Sequence, residues 1–301
     1  MTEKLLGLDG GGTKTEAVVM DRSGSVIARC RAGGLDPTSG MHWQQTLADI
    51  AAKIGPVNGA ILGLPYHGEI PAISAQQAAV ASSLFGSGAV VVNDVAVAFE
   101  GAFGGLDGVL VLSGTGSMAW SRGPLGVHRV GGWGPVFGDE GSAYWIGCRA
   151  LARISQQLDG RIASTNFTDA LLGKLSLVGG DLLGWIYALD DHRAGIAALA
   201  AMVSDLAQAG DDDALALLKS AAQHLAQLGL TASRLSGAGH GWSFAGGVMA
   251  DAVVLASLTQ AMGCTPALPV LPPVGGALLL AARSAGWDTG PEFTARLKAA
   301  L

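Results

Sequence analysis

The sequence predicts an α/β fold made of two similar units that face each other across a cleft. A strand, a glycine loop, a second strand and a turn lie between Leu5 and Gly24. The same pattern returns between Val109 and Pro124, again with glycines and hydroxyls in the loop. Strand-like and helix-like segments alternate after the first pattern, which is typical of a parallel sheet. A duplicated βββαβα unit of this kind would place its two glycine loops on opposite sides of one cleft.

The composition fits a folded protein with a large core. The chain has 301 residues, of which 50% are hydrophobic and 14% are charged, so disorder is not expected. The net charge of −6 gives no basic face for nucleic acid. The first strand begins close to the N-terminus, which leaves no room for a signal peptide. The most apolar tract, 267–282, is broken by prolines and a glycine pair. We therefore expect a cytoplasmic protein without a membrane span.

The first glycine loop reads Asp-Gly-Gly-Gly-Thr-Lys-Thr from Asp9 to Thr15. Its glycines let the backbone approach an anion closely, which favours a phosphate cradle, while a hairpin turn that binds nothing stays open. The loop lacks the Gly-Lys-Ser/Thr ending of a P-loop. It also leads into a strand, whereas a dinucleotide fingerprint opens a helix. Both of those nucleotide motifs are therefore excluded.

Hydrophobic spacing predicts the elements that follow the first three strands. Helices are expected at 41–54, 73–84 and 95–102, with strands at 60–64 and 89–92 between them. Asp94 lies where the second of these strands ends and the next helix begins, which is where open α/β sheets bind ligands. The alternative for Asp94 is a simple helix cap.

The second half of the chain continues the pattern with a long helical insert. Residues 151–235 read as helices without recognisable chemistry, and Asp211 to Asp213 suit a helix start. A strand and a glycine pair follow at 242–247. The sequence then predicts a last strand at 266–271 and two closing helices.

The chain carries the motifs DGGGTKT, VND, SGTGS, GGWGPVFGDEGSAYWIG and AGGV in this order. Their order resembles that of the actin, sugar kinase and Hsp70 nucleotide-binding superfamily. Within it, the chain is similar to N-acetylglucosamine kinases and to the BadF/BadG-type ATPases. The resemblance implies two ribonuclease-H-like (actin-like ATPase) domains around a central cleft. The expected domains are 1–112, on the sugar and phosphate side, and 113–301, on the phosphate and adenosine side. The last helix could return to pack on the N-terminal domain.

The same resemblance assigns roles to individual residues. Asp94 matches the catalytic aspartate, and Asp9 would act on Mg²⁺ through water. Residues expected to bind the ATP phosphates are Gly10, Gly11, Gly12, Thr13, Lys14, Ser113, Gly114, Thr115, Gly116 and Ser117. Residues expected to bind the adenosine are Gly246 and Gly247. Residues expected to bind the sugar are Asp36, Thr38, Asp94, Gly132, Trp133, Asp139 and Glu140.

Plainer interpretations stay open for several of these residues. Lys14 could be a solvated lysine, and Asp36 could belong to an Asp-Pro turn. The pair Asp139 and Glu140 could cap the helix that follows. An Asn-containing sugar segment, common in N-acetylglucosamine kinases, has only a loose counterpart at 33–38.

The resemblance implies an ATP-dependent amino-sugar kinase that uses Mg²⁺, acts as a homodimer and forms N-acetylglucosamine 6-phosphate. Glucosamine is the alternative substrate. A rival hypothesis is an activator-type ATPase of the BadF/BadG group, which needs cysteine ligands for an iron–sulfur cluster at a subunit interface. Cys30, Cys148 and Cys264 are far apart in the sequence and show no such spacing. A sugar-sensing regulator or an actin-like assembly protein is the non-enzymatic rival.

Overall fold

The computed structural model describes residues 3–12, 14–40 and 42–301. The strands within these ranges are β1 (Lys4–Gly10), β2 (Lys14–Asp21), β3 (Val26–Gly33), β4 (Gly59–Leu64), β5 (Ala89–Asn93), β6 (Gly108–Ser113), β7 (Ser117–Gly123), β8 (Gly126–Gly131) and β9 (Trp242–Ala245). The α-helices are α1 (His42–Ile54), α2 (Pro71–Phe85), α3 (Asp94–Phe103), α4 (Ala143–Leu158), α5 (Asn166–Lys174), α6 (Leu182–Tyr187), α7 (His192–Gln208), α8 (Asp212–Ser236), α9 (Ala252–Met262), α10 (Pro273–Ser284) and α11 (Pro291–Ala300).

The first compact unit contains the residues up to Asp107 together with Leu268–Leu301. Its five strands are ordered β3-β2-β1-β4-β5, with β1, β2 and β3 antiparallel and β1, β4 and β5 parallel. Leu5 on one face of the sheet packs in a core with α10 and α11, while Leu6 and Leu8 on the other face pack with α1. Side chains alternate along a strand, so both faces of this sheet are buried under helices.

Close backbone approaches fix the helices on one face of this sheet. A Cβ added to Gly7 of β1 would lie 2.7 Å from the backbone nitrogen of Leu278 in α10. A Cβ added to Gly276 of α10 would collide with the carbonyl of Val97 and the nitrogen of Gly101, both in α3. Glycine therefore sets the distance of α10 from β1 and from α3, the helix that carries Asp94 at its first position.

The second compact unit is Gly108–Ala267. Its four strands are ordered β8-β7-β6-β9, again with an antiparallel meander and one parallel strand beside its first strand. The meander β6-β7-β8 thus repeats β1-β2-β3, and β9 repeats β4. A core of strand side chains and helices α4, α5, α7, α8 and α9 fills this unit. The predicted duplicated α/β pattern is confirmed at the level of strand order.

The structure departs from the sequence prediction at two places. The expected strand at 266–271 is wrong, because this segment is irregular and its prolines lack the N–H groups that a strand needs. The expected boundary after residue 112 falls inside β6, and the chain from Leu268 onwards groups with the first unit. Burial of α10 against β1 and α3 accounts for this grouping, which no local pattern encodes.

No helix in the described part of the chain combines the length and the apolar character that crossing a membrane requires.

The packing of α10 leads to a first testable prediction. Gly276→Ala should lower the free energy of unfolding by about 1–3 kcal/mol, because the added methyl group forces α10 away from α3. Gly184→Ala is the control, since an added Cβ on exposed Gly184 of α6 meets nothing within 4 Å. It should be neutral or stabilising by up to about 1 kcal/mol. Urea unfolding measures both, and equal effects of the two substitutions would contradict the packing argument.

Candidate active site

The first glycine loop joins β1 to β2 in the first unit. The Gly11 N–H donates to the carbonyl of Lys14 at 2.9 Å, and the Leu35 N–H donates to the carbonyl of Gly11 at 2.9 Å. Gly10 is closely packed, since a Cβ there would lie 2.7 Å from Cδ1 of Leu35 and 3.1 Å from the carbonyl oxygen of Gly63. Gly12 is different, because a Cβ there would meet nothing within 4 Å. Thr13, a predicted phosphate ligand, lies outside the described residues.

Two half-buried carboxylates lie at the carboxyl ends of parallel strands in this unit. Asp9 is near the end of β1, and Asp94 directly follows β5. Burial raises the pKa of Asp9 to about 6, and the positive charge of Lys14 partly offsets this. Burial is also the largest cause that raises the pKa of Asp94 to about 7, followed by the negative charge of Asp9. The structure thus brings the predicted catalytic and metal-associated carboxylates together.

Asn93, rather than Asp94, is the N-cap of α3. The Asn93 Oδ1 atom accepts the N–H of Val95 at 3.0 Å, and Asp94 is the first helical residue. Oδ1 of Asp94 accepts the same N–H at 2.9 Å, which lowers the pKa of Asp94 against the effect of burial. Asn93 is thus the capping residue and Asp94 shares its hydrogen bond, so the catalytic role of Asp94 stays a prediction.

The second glycine loop, between β6 and β7, is fixed by hydrogen bonds from its own serine hydroxyl groups. The Ser113 Oγ atom donates to the carbonyl of Gly141 at 2.9 Å, and the Ser117 Oγ atom donates to the carbonyl of Glu140 at 2.7 Å. Both serines are buried. Their hydroxyls therefore brace the loop, and the phosphate contacts expected of this loop stay predictions.

Asp139 lies at this second loop as well. It is only 4% exposed, and its carboxylate accepts backbone hydrogen bonds from Gly134 and Ser117. The Arg193 guanidinium lies 3.4 Å from Oδ2 of Asp139. Burial raises the pKa of Asp139, and Arg193 partly offsets this. Asp139 thus has a bracing role that sequence reasoning missed, and its contact with sugar stays a prediction.

The other residues of the predicted sugar motif differ in exposure. Gly132 has a left-handed backbone with φ of +71°, and Trp133 is 67% exposed with the Arg129 guanidinium over its ring. Glu140 is half-buried. An exposed indole beside a cation is available to a ligand, whereas the backbone of Glu140 is used by the second glycine loop.

The predicted adenosine motif begins where β9 ends. Gly246 has φ of +96°, and a Cβ there would collide with the carbonyl of Ser113 in the second glycine loop. Gly247 has open space around it, with nothing within 4 Å of an added Cβ. Gly246 therefore joins the two motifs of the second unit, and Gly247 exposes backbone that a ligand can approach.

Asp36 and Thr38 form the local turn that was the plainer interpretation. Oδ1 of Asp36 accepts the N–H of Thr38 at 2.8 Å and its hydroxyl at 2.7 Å. Asp36 also caps a short 3₁₀ helix, Pro37–Ser39. Their sugar contacts stay predictions.

Sequence reasoning missed two charged residues that the structure places at these sites. Glu69 follows β4 and lies near enough to Asp94 to raise its pKa further. Its place in the loop after a parallel strand was a weaker signal than that of Asp94, because Glu69 lies beyond a turn whereas Asp94 directly follows β5. Arg193 comes from α7, in the helical segment to which no chemistry was given, and no local pattern links it to Asp139.

A family model describes the relatives of this chain. The model of the BadF/BadG/BcrA/BcrD ATPase family matches residues 6–281. The chain belongs to the BadF/BadG/BcrA/BcrD ATPase family. The resemblance predicted from the motifs is confirmed, and membership of this ATPase family supports the predicted use of ATP.

Two curated proteins are similar to this member of the BadF/BadG/BcrA/BcrD family. An N-acetyl-D-glucosamine kinase of Dictyostelium discoideum is 31% identical over 75% of this chain and 78% of its own length. An N-acetylmuramic acid/N-acetylglucosamine kinase of Clostridium acetobutylicum is 36% identical, over 45% of this chain and 45% of that protein. The second match thus spans less than half of that relative.

Solved structures with this fold include other sugar kinases. A candidate N-acetylglucosamine kinase from Chromobacterium violaceum has a TM-score of 0.75 at 27% identity, over 93% of this chain and 99% of its own. A ROK family glucokinase from Streptomyces griseus, solved with glucose and AMPPNP, has a TM-score of 0.59 at 17% identity, over 94% of this chain and 99% of its own. The second likeness concerns the fold alone. The predicted two-domain, actin-like fold class is confirmed.

The buried charge of Asp94 leads to a prediction about stability. Its pKa is raised from 3.8 to about 7, so protonated Asp94 contributes stability that is fully present below about pH 4 and is lost as the pH rises through about 7. Asp94→Asn removes this charge. In chelator-treated protein it should raise the free energy of unfolding by about 1–3 kcal/mol at pH 8 and by much less at pH 5.

Urea unfolding at the two pH values measures this difference. The exposed residue Asp190 supplies the matched control, because Asp190→Asn should change stability by less than about 0.5 kcal/mol at either pH. If Asp94→Asn raised the free energy of unfolding equally at both pH values, the effect could not come from the charge of Asp94.

Proposed function

We propose that this protein transfers the γ-phosphoryl group of ATP to the 6-hydroxyl of N-acetylglucosamine, with glucosamine as the alternative acceptor. The observation that carries the proposal is Asp94, a half-buried carboxylate at the carboxyl end of a parallel strand, with Asn93 as the helix cap beside it. The two curated relatives support the amino sugar, because both are kinases whose names include N-acetylglucosamine. We also propose that the enzyme is cytoplasmic and works as a homodimer.

Asp94 acts as the general base in this proposal. Its carboxylate takes the proton of the 6-hydroxyl while the hydroxyl oxygen bonds to the γ-phosphorus and the bond to the β-phosphate oxygen breaks, releasing ADP. A base is most effective when its pKa is close to the working pH, and the pKa of Asp94 is raised to about 7. Phosphoryl transfer otherwise needs positioning and charge stabilisation more than covalent help.

Asp9 would hold Mg²⁺ through water. A carboxylate oxygen is the donor that this hard cation prefers, and Mg²⁺ commonly uses one or two carboxylates with waters and phosphate oxygens. Burial and the charge of Glu16 raise the pKa of Asp9, so a cation beside it would relieve an unfavourable buried charge. When bound, Mg²⁺ would supply neutralisation of phosphate charge.

The remaining predicted residues divide between phosphate and adenosine. Backbone groups at Gly12 in the first loop, and at Thr115 and Gly116 in the second, would face phosphate oxygens, with Lys14 adding positive charge. Gly247 would lie against the adenosine. Exposed Trp133 would pack on the sugar, as aromatic rings provide large apolar contact area.

An ADP-release assay tests the proposed function. N-acetylglucosamine, glucosamine, N-acetylmuramic acid and glucose are compared as acceptors, and phosphorus NMR identifies the phosphorylated position of the product. N-acetylglucosamine should give the highest kcat/KM and a 6-phosphate product. Brisk ATP hydrolysis that none of the sugars accelerates would contradict the kinase assignment and favour the activator-type ATPase.

The general-base role of Asp94 leads to a prediction about turnover. Asp94→Asn keeps the side-chain shape and should lower kcat by about 10²- to 10⁴-fold, because the proton acceptor is lost. The KM for ATP should stay within a few-fold of the wild-type value. Steady-state kinetics of the folded variant measure both. Turnover close to the wild-type rate would contradict the general-base role and indicate a structural role for Asp94.

The two glycines after β9 give a matched pair for the adenosine assignment. Gly247→Val places a side chain in open space, so it should leave the unfolding free energy nearly unchanged while raising the KM for ATP about tenfold or more, equivalent to about 1.4 kcal/mol. Gly246→Ala introduces a strained φ and a collision, so it should mainly lower stability, by about 1–3 kcal/mol. An unchanged KM in Gly247→Val would remove Gly247 from the adenosine site.

A further inference from the structure

Helix α7 contacts both of the glycine motifs that the second unit contributes to the proposed nucleotide site. It belongs to the helical insert, 151–235, in which the sequence shows no recognisable chemistry. The contacts come from Arg193 near its start and from Ser204 near its end. An α-helix has about 3.6 residues per turn and rises about 1.5 Å per residue, so these two residues lie about three turns apart. Their side chains therefore share nearly the same face of α7, with about 16 Å between them along the helix axis.

Arg193 reaches the second glycine loop together with Asp139. The Nη2 atom of Arg193 lies 3.4 Å from Oδ2 of Asp139. A Cβ added to Gly116 of the loop would lie 2.8 Å from the same carboxylate oxygen and 3.2 Å from the same guanidinium nitrogen. The absence of a side chain at Gly116 thus gives the ion pair the space to lie directly against the backbone of the loop.

The carboxylate of Asp139 transmits this contact to two backbone segments. Its Oδ1 atom accepts the N–H of Gly134 at 3.2 Å, and the carboxylate also accepts the N–H of Ser117 at the end of the loop. An ionised carboxylate accepts such bonds more strongly than a neutral acid does. The charge of Arg193 favours the ionised form, because it lowers the pKa of Asp139 against the effects of burial and of Glu140.

Helix α4 fixes the backbone of α7 near Arg193. A Cβ added to Gly147 of α4 would collide with the carbonyl oxygen of Ile196 in α7, so the two helices are in backbone contact at this point. The N–H of Ala143, at the start of α4, donates to the carbonyl of Gly114 at 2.8 Å. The second glycine loop, α4 and the first turns of α7 are therefore connected by direct contacts.

Ser204 makes the corresponding contact at the other end of α7. Its Oγ atom donates a hydrogen bond to Oδ2 of Asp251. Asp251 directly follows the 3₁₀ helix Gly247–Ala250, which begins inside the predicted adenosine motif. The Oδ1 atom of Asp251 accepts the N–H of Val254 at 2.9 Å and caps α9. Ser204 thus fixes the residue at which the adenosine segment ends and the next helix begins.

We propose that α7 positions the nucleotide site, with Arg193 fixing the second glycine loop for the phosphates and Ser204 fixing the adenosine motif. Both are positioning residues, since each acts through the carboxylate that it contacts. The proposal rests on the proposed function, and it gives the helical insert a task within it. The length of α7 between the two residues sets the distance between the backbone that faces phosphate and the backbone that faces adenosine.

Titration calorimetry with two ligands separates the two contacts. AMPPNP with Mg²⁺ probes the phosphate and adenosine parts together, and adenosine, measured by competition with AMPPNP, probes the adenosine part alone. Arg193→Met should lower the affinity for AMPPNP roughly tenfold, as for the loss of a charge-assisted hydrogen bond, and that for adenosine by less than about twofold. Ser204→Ala should lower both affinities by the same factor, roughly three- to tenfold.

Conservative variants test whether the hydrogen bonds themselves are responsible. Arg193→Lys keeps the charge but not the planar fork, so it should recover part of the lost affinity for AMPPNP. Ser204→Thr keeps the hydroxyl group and should recover most of the affinity for both ligands. Arg234→Met and Ser83→Ala are the controls, because these two helical residues are exposed, and they should change each affinity by less than about twofold. Partial unfolding of a variant would lower the stoichiometry of binding, not the affinity of the folded molecules.

Two results would overturn the assignment in distinguishable ways. If Arg193→Met weakens adenosine as much as AMPPNP, or if both affinities stay at the wild-type value in Arg193→Met and Ser204→Ala, α7 does not position the two parts of the site, although the kinase function stands. If the wild-type protein binds neither AMPPNP nor adenosine, the proposed nucleotide site fails and the role of α7 fails with it.

Discussion

The electrostatic coupling of Asp9 and Asp94 is the constraint on which the first unit depends. Burial is the largest cause that raises the pKa of each carboxyl group, and the charge of Asp9 raises the pKa of Asp94 further. These effects bring the pKa of Asp9 to about 6 and that of Asp94 to about 7. Folding alone would favour neutral side chains at both positions. A fold that keeps both carboxylates therefore gives up stability for a charge arrangement that chemistry can use.

The backbone around this pair is arranged to hold it in place. Gly63 of β4 lets α3 approach so closely that an added Cβ would lie 3.3 Å from Cα of Asp94. Gly276 likewise admits α10 close to α3, where an added Cβ would collide with the carbonyl of Val97 and the nitrogen of Gly101. Since interiors are packed as densely as crystals, a helix fixed on two sides cannot shift to separate the charges. The position of Asp94 thus follows from glycine packing as much as from its own hydrogen bonds.

Much of the fold could be predicted from the sequence, because strand and helix periodicity is local. The glycine loops and Asp94 were likewise visible, since each follows directly from a strand end. The hydrogen bonds of the Ser113 and Ser117 hydroxyls could not be predicted, because their acceptors lie 28 and 23 residues further along the chain. The ion pair of Arg193 with Asp139 spans 54 residues. Such contacts exist only after the helices have packed.

The prediction of a strand at 266–271 was wrong for a related reason. Its apolar residues suit a strand, but hydrogen bonds from Val270 and Leu271 go to carbonyls of α3, at Ala102 and Gly101. This segment connects the second unit to helices that complete the core of the first. The composition of this segment could not predict these hydrogen bonds, because the acceptors belong to the end of a helix and not to a neighbouring strand.

The two repeated units use the same strand order for different chemistry. In the first unit, the strand ends carry carboxylates whose pKa values burial raises towards neutrality. In the second, the glycine loop directs its serine hydroxyls inward, and Asp139 is engaged by backbone N–H groups and by Arg193. A loop braced in this way presents mainly backbone, which suits an anionic ligand that must be held without proton transfer. In the proposed function, acid–base chemistry would therefore be concentrated in the first unit, and the second would provide a surface of glycines for the nucleotide.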